Sequence, residues 1–448
     1  MAESFDWQLY PEAEQWILDL IESACRQNIE IATLRESLLN LTSTRLFDWL
    51  DHLTLPFSPS TALKLEQFGY SLQETEAEGA IYAHKGAQFP RIVLHPTTDQ
   101  VALFCSVDQI ADFLMAWGHS HSQIEGAPFG CYRRCLVSKK GWASLWVVER
   151  RGTQGLHPTE ERGEELKLYL EVMEAWQKRA RAFEDESLAI GAAIQLARWM
   201  VEQVGVDRAA WSVLEVERRY WQMRNRAGQI QKNRQDRLGM GWANHDHHTF
   251  RSSRKNFPKL VSLFECLGFT CRERFYAGEE AGWGAQVMEN PACRLVLFLD
   301  VDLSPEEIRA DFAHTPLEEL DALGTIGLWC GLHGDSILQG GMHHLEAQFM
   351  FDELTQDLST AGINMMGAFS NFSFLRQAFT EGERWAVLPE RVEKLVRTGR
   401  ISEAQAQKFL REGAIGSHLE NLQRRSGYKG FNQHNVSSII RRTDPRLI

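Results

Sequence analysis

The sequence predicts an α/β (α+β) protein built from recurring helix–strand blocks, with further helices added between them. Three observations predict it. The segment LKLEQFGY, ending at Gly69-Tyr70, has the texture of VSLFECLGF, ending at Gly268-Phe269, and strand-like apolar runs follow each. Asp51-His52 comes shortly before the first block and Asp246-His247 before the second, which reads as an internal repeat. Between the blocks, residues 159–236 are rich in Glu, Arg, Ala, Leu and Gln at helical period, so connecting helices are expected there.

Taken in order, residues 11–55 read as short helices, with Trp16, Ile17, Leu20 and Ile21 at helical spacing. Leu63, Leu65 and Phe68 predict a helix that turns at Gly69 into strands near 80–83 and 91–94. Residues 136–149, with Trp142, Leu145, Trp146, Val147 and Val148, predict another strand. Two or three helices fill 159–236. After Gly239-Met240-Gly241 the pattern returns: Leu260, Leu263, Phe264 and Leu267 mark a helix, and residues 294–301 a strongly apolar strand. A third block starts at Gly340-Gly341 and holds a helix over 352–361, capped by Gly362. A charged helical stretch covers 389–412. The alternating strand SHLENLQ, a glycine-rich turn and a short helix over 435–441 close the chain. The expected division is a degenerate N-terminal module with helices over 1–150, a helical connector over 151–239 and a catalytic metal-binding domain over 240–448.

With 448 residues, two or three domains are expected. A hydrophobic share of 44% against 24% charged residues allows large cores and excludes wholesale disorder. No apolar run approaches the roughly 18 residues that span a bilayer, and the acidic start MAESFDWQLYPEAEQW is no secretory signal. A soluble, cytoplasmic protein is expected. The net charge of −12 argues against nucleic acid or a membrane surface as partner. Of the eight cysteines only Cys131 and Cys135 sit close, with no matching second pair, so isolated thiols in a reducing compartment are expected.

Three strand-like segments carry the candidate chemistry. NHDHHTF offers His245, His247 and His248; GGMHHLEA offers His343 and His344; SHLENLQ offers His418 and Glu420. Non-haem iron takes two imidazoles and one carboxylate on one face and leaves positions open for substrate and oxygen. Strand alternation puts His245 and His247 on one face and His248 on the other, joins His418 to Glu420, and separates His343 from His344. Periodicity narrows the set without choosing within it. Any single imidazole here would ordinarily be a hydrogen-bonded or surface residue; three such sites in separate blocks favour a metal. Asp51-His52 reads as a packing remnant, because Pro56 stands four residues on. His119-Ser120-His121 lies in a glycine-flanked loop and reads as solvated.

The closing HLENLQRRSGYKGFNQHNVSSII resembles the C-terminal motif of the 4-hydroxyphenylpyruvate dioxygenase family, which places its metal-binding Glu where Glu420 stands. GGMHHLEA is similar to that family's second ligand strand, with His344 in the ligand register and His343 its neighbour. HDHHTF is similar to the first, giving His247. Within the same vicinal-oxygen-chelate superfamily, DHHTFRS more closely resembles the Asp-His-x-x-Phe-Arg-Thr strand of the 2-oxoadipate dioxygenase/decarboxylase (hydroxyglutarate synthase) family, with Arg251 at its Arg, and KGFNQHNVSSIIRRTDP resembles that family's close. The resemblance covers residues 240–448. MHHLE departs from the decarboxylase family's Asn-His-x-Thr, and the Ser-Gln-Ile of the other family is missing.

The resemblance implies paired βαβββ vicinal-oxygen-chelate modules with added helices and Fe(II) held by His247, His344 and Glu420. It also implies an oxygenase that uses O2 to convert 2-oxoadipate to 2-hydroxyglutarate. Arg251 lies about 13 Å along the strand from His247 and on the same face, placed to grip a distal carboxylate of a chelated 2-oxo acid. A dioxygenase for an aromatic 2-oxo acid and a metal-free binding protein on the same fold are the alternatives.

Overall fold

The computed structural model describes residues 7–279, 281–432 and 444–446. The helix expected over 435–441 lies outside the described residues. The chain opens with α1 (Pro11–Gln27) and α2 (Ile29–Thr42). Ile17, Ile21, Ala24, Ile31, Leu34 and Leu38 form their buried stripe. The helical expectation for 11–55 runs too far. Ser43 takes a left-handed φ of 56° and ends α2, and Leu50–Pro56 is a strand. That strand is central and almost wholly buried, so no polar alternation betrays it in the sequence.

The first sheet comprises β1 (Leu50–Pro56), β2 (Ser71–Glu76), β3 (Gly79–Ala83), β4 (Arg91–His95), β5 (Val101–Ser106), β6 (Ile124–Glu125), β7 (Tyr132–Lys140) and β8 (Ala143–Arg150). Helix α3 (Pro59–Gln67) follows β1 and α4 (Ile110–Ala116) follows β5. The single strand expected over 136–149 is a hairpin: Gly141, at φ +56°, turns β7 into β8. Four helices, not two or three, form the connector: α5 (Gly163–Lys178), α6 (Glu186–Val204), α7 (Val206–Gln222) and α8 (Arg226–Asp236). The extra break falls where the Asn225 side chain accepts from Gly228 N and starts α8.

The second sheet comprises β9 (His245–Arg251), β10 (Thr270–Tyr276), β11 (Trp283–Asn290), β12 (Leu295–Asp302), β13 (His344–Gln348), β14 (Ser370–Phe372), β15 (Leu375–Phe379), β16 (Glu383–Trp385) and β17 (Ala414–Arg424). Its helices are α9 (Phe257–Cys266) after β9, α10 (Thr325–His333) before β13, α11 (Phe351–Thr360) after it, and α12 (Pro389–Arg397) and α13 (Glu403–Glu412) before β17.

The two curled sheets share one topology. The first runs β2-β3-β4-β1-β5-β8-β7-β6 and the second β10-β11-β12-β9-β13-β17-β15-β14, with β16 beside β17. In each, a βαβββ motif closes by parallel pairing of its first and last strands (β1 with β4, β9 with β12), and a second motif closes likewise (β5 with β8, β13 with β17). An antiparallel seam joins the two motifs, β1 to β5 and β9 to β13. These are the paired βαβββ modules expected. The repeat extends to the helix ends: Gly69 and Gly268 both take left-handed φ, +87° and +77°, as a helix C-terminus that turns back into a strand requires.

The outer face of each sheet packs against helices. Leu53, Leu103, Leu145 and Val147 share a core with α1–α4, and Phe250, Leu297, Leu299, Leu345 and Leu419 share one with α5–α9 and α11. Each such side chain contributes roughly 1.5–3 kcal/mol on burial. With the outer faces so occupied, the alternate residues of the second sheet are left to line an inner cup.

Candidate metal centre

Cross-strand register assembles the cup in rows. One row runs Val296, His247, Glu346, Glu420, Phe379 across β12, β9, β13, β17 and β15; the next runs Phe298, Thr249, His344, His418. Because side chains directly opposite share a face, three strands bring His247, His344 and Glu420 together. All three are buried, and one donor atom from each lies within 4.8 Å of the others. His344 Nε2 is 2.9 Å and His247 Nε2 3.9 Å from the same atom, Glu420 Oε2. Thr249 Oγ1 lies 2.7 Å from His344 Nε2.

The other candidate imidazoles are engaged elsewhere. His343 Nδ1 bonds Gly416 O at 3.0 Å and its ring packs on Trp329. His418 Nδ1 bonds Thr380 O at 2.8 Å, and His245 Nδ1 bonds Trp242 O at 2.8 Å. His248 points to the opposite face, as alternation requires. His119 pairs with Glu30 at 3.2 Å near the surface.

The cup gathers four buried ionisable side chains, His247, His344, Glu346 and Glu420. Burial raises the Glu420 and Glu346 carboxyls and depresses His344. Burial also opposes charge on His247, yet Glu346, Asp246 and Glu420 together outweigh it and raise its imidazole to about 10. His344 Nδ1 and Glu346 Oε1 are buried without a hydrogen-bond partner among the described residues. Two imidazoles and a carboxylate converging from rigid strands fit a divalent metal with open coordination positions.

Arg251 lies on the same face of β9, four residues beyond His247. It is buried, not on a strand edge with a surface acid. Its Nε sits 3.7 Å from buried Asp300 Oδ2 and has no hydrogen-bond partner among the described residues. Its guanidinium lies 5.5 Å over the Trp329 ring. Burial lowers Arg251, opposed by Asp300, and burial raises Asp300 to about 7, opposed by Arg251. Phe298, Phe431 and Phe379 wall the centre, with ring centroids 4.5 and 5.2 Å from His247 and 5.2 Å from His344 respectively. A separate cavity of about 430 Å³ opens between the sheets, bordered by Phe431 and by charges of both signs, among them Arg91, Arg150 and Arg424 with Asp51, Asp246 and Glu289. Two of the Arg91 guanidinium nitrogens are buried without a partner among the described residues.

Sequence reasoning missed Glu346, Gln377, Asp300 and the phenylalanines. Glu346 had a signal: it stands two residues after His344, hence on the same face. Gln377 and Asp300 had none, because only register brings β15 and β12 to the centre.

The first sheet repeats the frame without the donors. Its register places His52 where His247 stands, Ala102 and Phe104 at the positions of His344 and Glu346, and Trp146 at that of Glu420. His52 is stacked on Phe104 at 4.0 Å, and Phe104 on Trp146 at 5.4 Å. The surrounding ion pair persists. Asp51 binds Arg150 as Asp246 binds Arg424, and Asp51 Oδ2 holds His52 Nδ1 at 2.6 Å.

The sequence matches no protein-family model and no curated protein. Among solved structures the chain is similar to a 4-hydroxymandelate synthase variant from Streptomyces coelicolor, at 11% identity and a TM-score of 0.30, over 89% of this chain and 99% of that one. It is also similar to a putative hydrolase from Shewanella frigidimarina (15% identity, TM-score 0.30, 56% and 100% of the chains). A third similarity is to methylmalonyl-CoA epimerase from Mycobacterium tuberculosis (11%, 0.23, 41% and 88%). Among the described residues no helix is long and apolar enough to cross a membrane.

Proposed function

We propose that this chain is an Fe(II)-dependent dioxygenase/decarboxylase acting on a 2-oxo acid, with His247, His344 and Glu420 as the metal ligands. The observation that carries the reading is their convergence in a buried cup whose same face bears the loosely paired Arg251. When bound, Fe(II) supplies the open coordination positions and the electrons that oxidative decarboxylation of a 2-oxo acid by O2 needs. For 2-oxoadipate the balance is one 2-oxoadipate and one O2 to one 2-hydroxyglutarate and one CO2.

The protein's own contribution is geometric and electrostatic. The three strands hold the donors rigidly. The phenylalanines exclude water. Arg251 offers a planar fork to a distal carboxylate. The phenylalanine wall favours a second reading, an aromatic 2-oxo acid as substrate.

Anaerobic reconstitution with Fe(II), followed by oxygen uptake and CO2 release with 2-oxoadipate and with 4-hydroxyphenylpyruvate, tests both. Equal consumption of O2 and release of CO2 with 2-oxoadipate is expected. Turnover restricted to the aromatic acid would select the second reading, and a chain that retains no metal would reject both.

A further inference from the structure

We propose that Glu346 is a positioning residue of this metal centre: its carboxylate holds the proton of His247 on Nδ1 and so leaves Nε2 free to donate to the metal. The inference rests on the metal centre proposed above.

Glu346 is fully buried on β13 and is the direct cross-strand partner of both His247 and Glu420. Its Oε1 approaches His247 Nδ1 to 2.7 Å, an ion-pair distance, though off the line of a straight N–H bond. The opposite ring nitrogen faces Glu420. Asp246 does not fill the same role. Its Oδ1 lies 3.5 Å from Nδ1, while its Oδ2 is taken by Arg424 and Gln88. In the first sheet, where Phe104 replaces Glu346, Asp51 holds the imidazole directly at 2.6 Å.

A clamp fixes the carboxylate in turn. The Gln377 amide oxygen accepts from Ser370 Oγ at 3.0 Å and from Asn432 N at 3.3 Å. Its amide nitrogen is thereby turned toward Glu346 Oε2 at 3.5 Å and Glu420 Oε1 at 3.3 Å. The donor atoms of His247, His344 and Glu420 form one close group, whereas Glu346 groups with His247 and Asp246 instead. Glu346 meets His247 at Nδ1, whereas Glu420 meets it at Nε2, so with His247, His344 and Glu420 as ligands Glu346 stands behind the imidazole. A carboxylate behind a ligating imidazole fixes its tautomer and raises its basicity.

The test is titration of the full, metal-free chain with Co(II) without oxygen, for the unmodified protein, Glu346→Gln and Glu346→Asp. Glu346→Gln should bind one Co(II) about 10–100-fold more weakly with an unchanged visible spectrum, and its metal-free thermal midpoint should stay level or rise. Glu346→Asp should recover part of the affinity. In the Zn(II)-loaded chain, ¹⁵N shifts should place the His247 proton on Nδ1. Unchanged Co(II) affinity in Glu346→Gln, or coordination through Nδ1, would overturn the proposal while leaving the metal centre standing. A changed Co(II) coordination number would overturn it by making Glu346 a ligand. An unmodified chain that binds no Co(II) would overturn both readings.

Discussion

At the scale of single residues, the proposed role of Arg251 can be tested directly. If it grips a distal carboxylate, Arg251→Ala removes a charge-assisted bidentate pair from a largely dry cup. Such a loss costs roughly 2–5 kcal/mol, or about 30-fold to several thousand-fold in kcat/KM. It should fall on dicarboxylic 2-oxo acids and spare monocarboxylic ones, and Arg251→Lys should recover only part of it. Oxygen consumption with both classes reads this out; equal losses would make Arg251 a structural cation for Asp300. The residue's place was legible, since an even offset from His247 fixes its face. That His344 and not His343 faces the cup was legible only as a register inherited from a resemblance. What separates them physically is that the His343 ring turns to Trp329 and Gly416 O, contacts made by elements distant in sequence.

At the scale of elements, α10 shows how the cup's surroundings respond to acid. His333 ends this helix, buried between Trp329 and Trp385, with Nε2 3.2 Å from Ile415 O. Burial depresses its imidazole to about 3, against about 6.5 in an unfolded chain. Between those values the unfolded chain binds the extra proton, so folding loses stability as pH falls. One such group contributes at most about 1.4 kcal/mol per pH unit. His333→Gln should therefore flatten the pH dependence of urea unfolding by roughly that slope between pH 6 and 4 in the metal-free chain. An unchanged slope would mean that His333 already carries a proton when folded. The helix itself was not foreseen. Its residues, TIGLWCGLH, are apolar all round and lack the polar face that marks a surface helix. The connector helices and the α3 and α9 blocks were legible because each has one.

At the scale of the whole molecule, two sheets of identical topology carry unequal centres. The repeat was legible in its glycine–aromatic turns and Asp-His pairs. The seam that joins the motifs was not, because strand order is set by pairings across the chain. The comparison predicts one metal ion per chain: Ala102 and Trp146 offer the first sheet no second or third donor, and Phe104 covers His52. Metal analysis should return a stoichiometry near one in the unmodified protein and unchanged in His52→Ala, but near zero in His247→Ala. Two ions per chain, or a fall with His52→Ala, would contradict it.

The seam has a consequence for how such a centre comes into being. His247 belongs to the motif on one side of it, and His344 and Glu420 to the motif on the other, with Glu420 on the last strand of the sheet. A nascent chain emerges from its N-terminus. Until β17 has been synthesised and has paired with β13, it presents two imidazoles and no completing carboxylate. On the proposed ligand set, an ion would therefore meet its full complement of donors during synthesis only after β17 has closed the sheet.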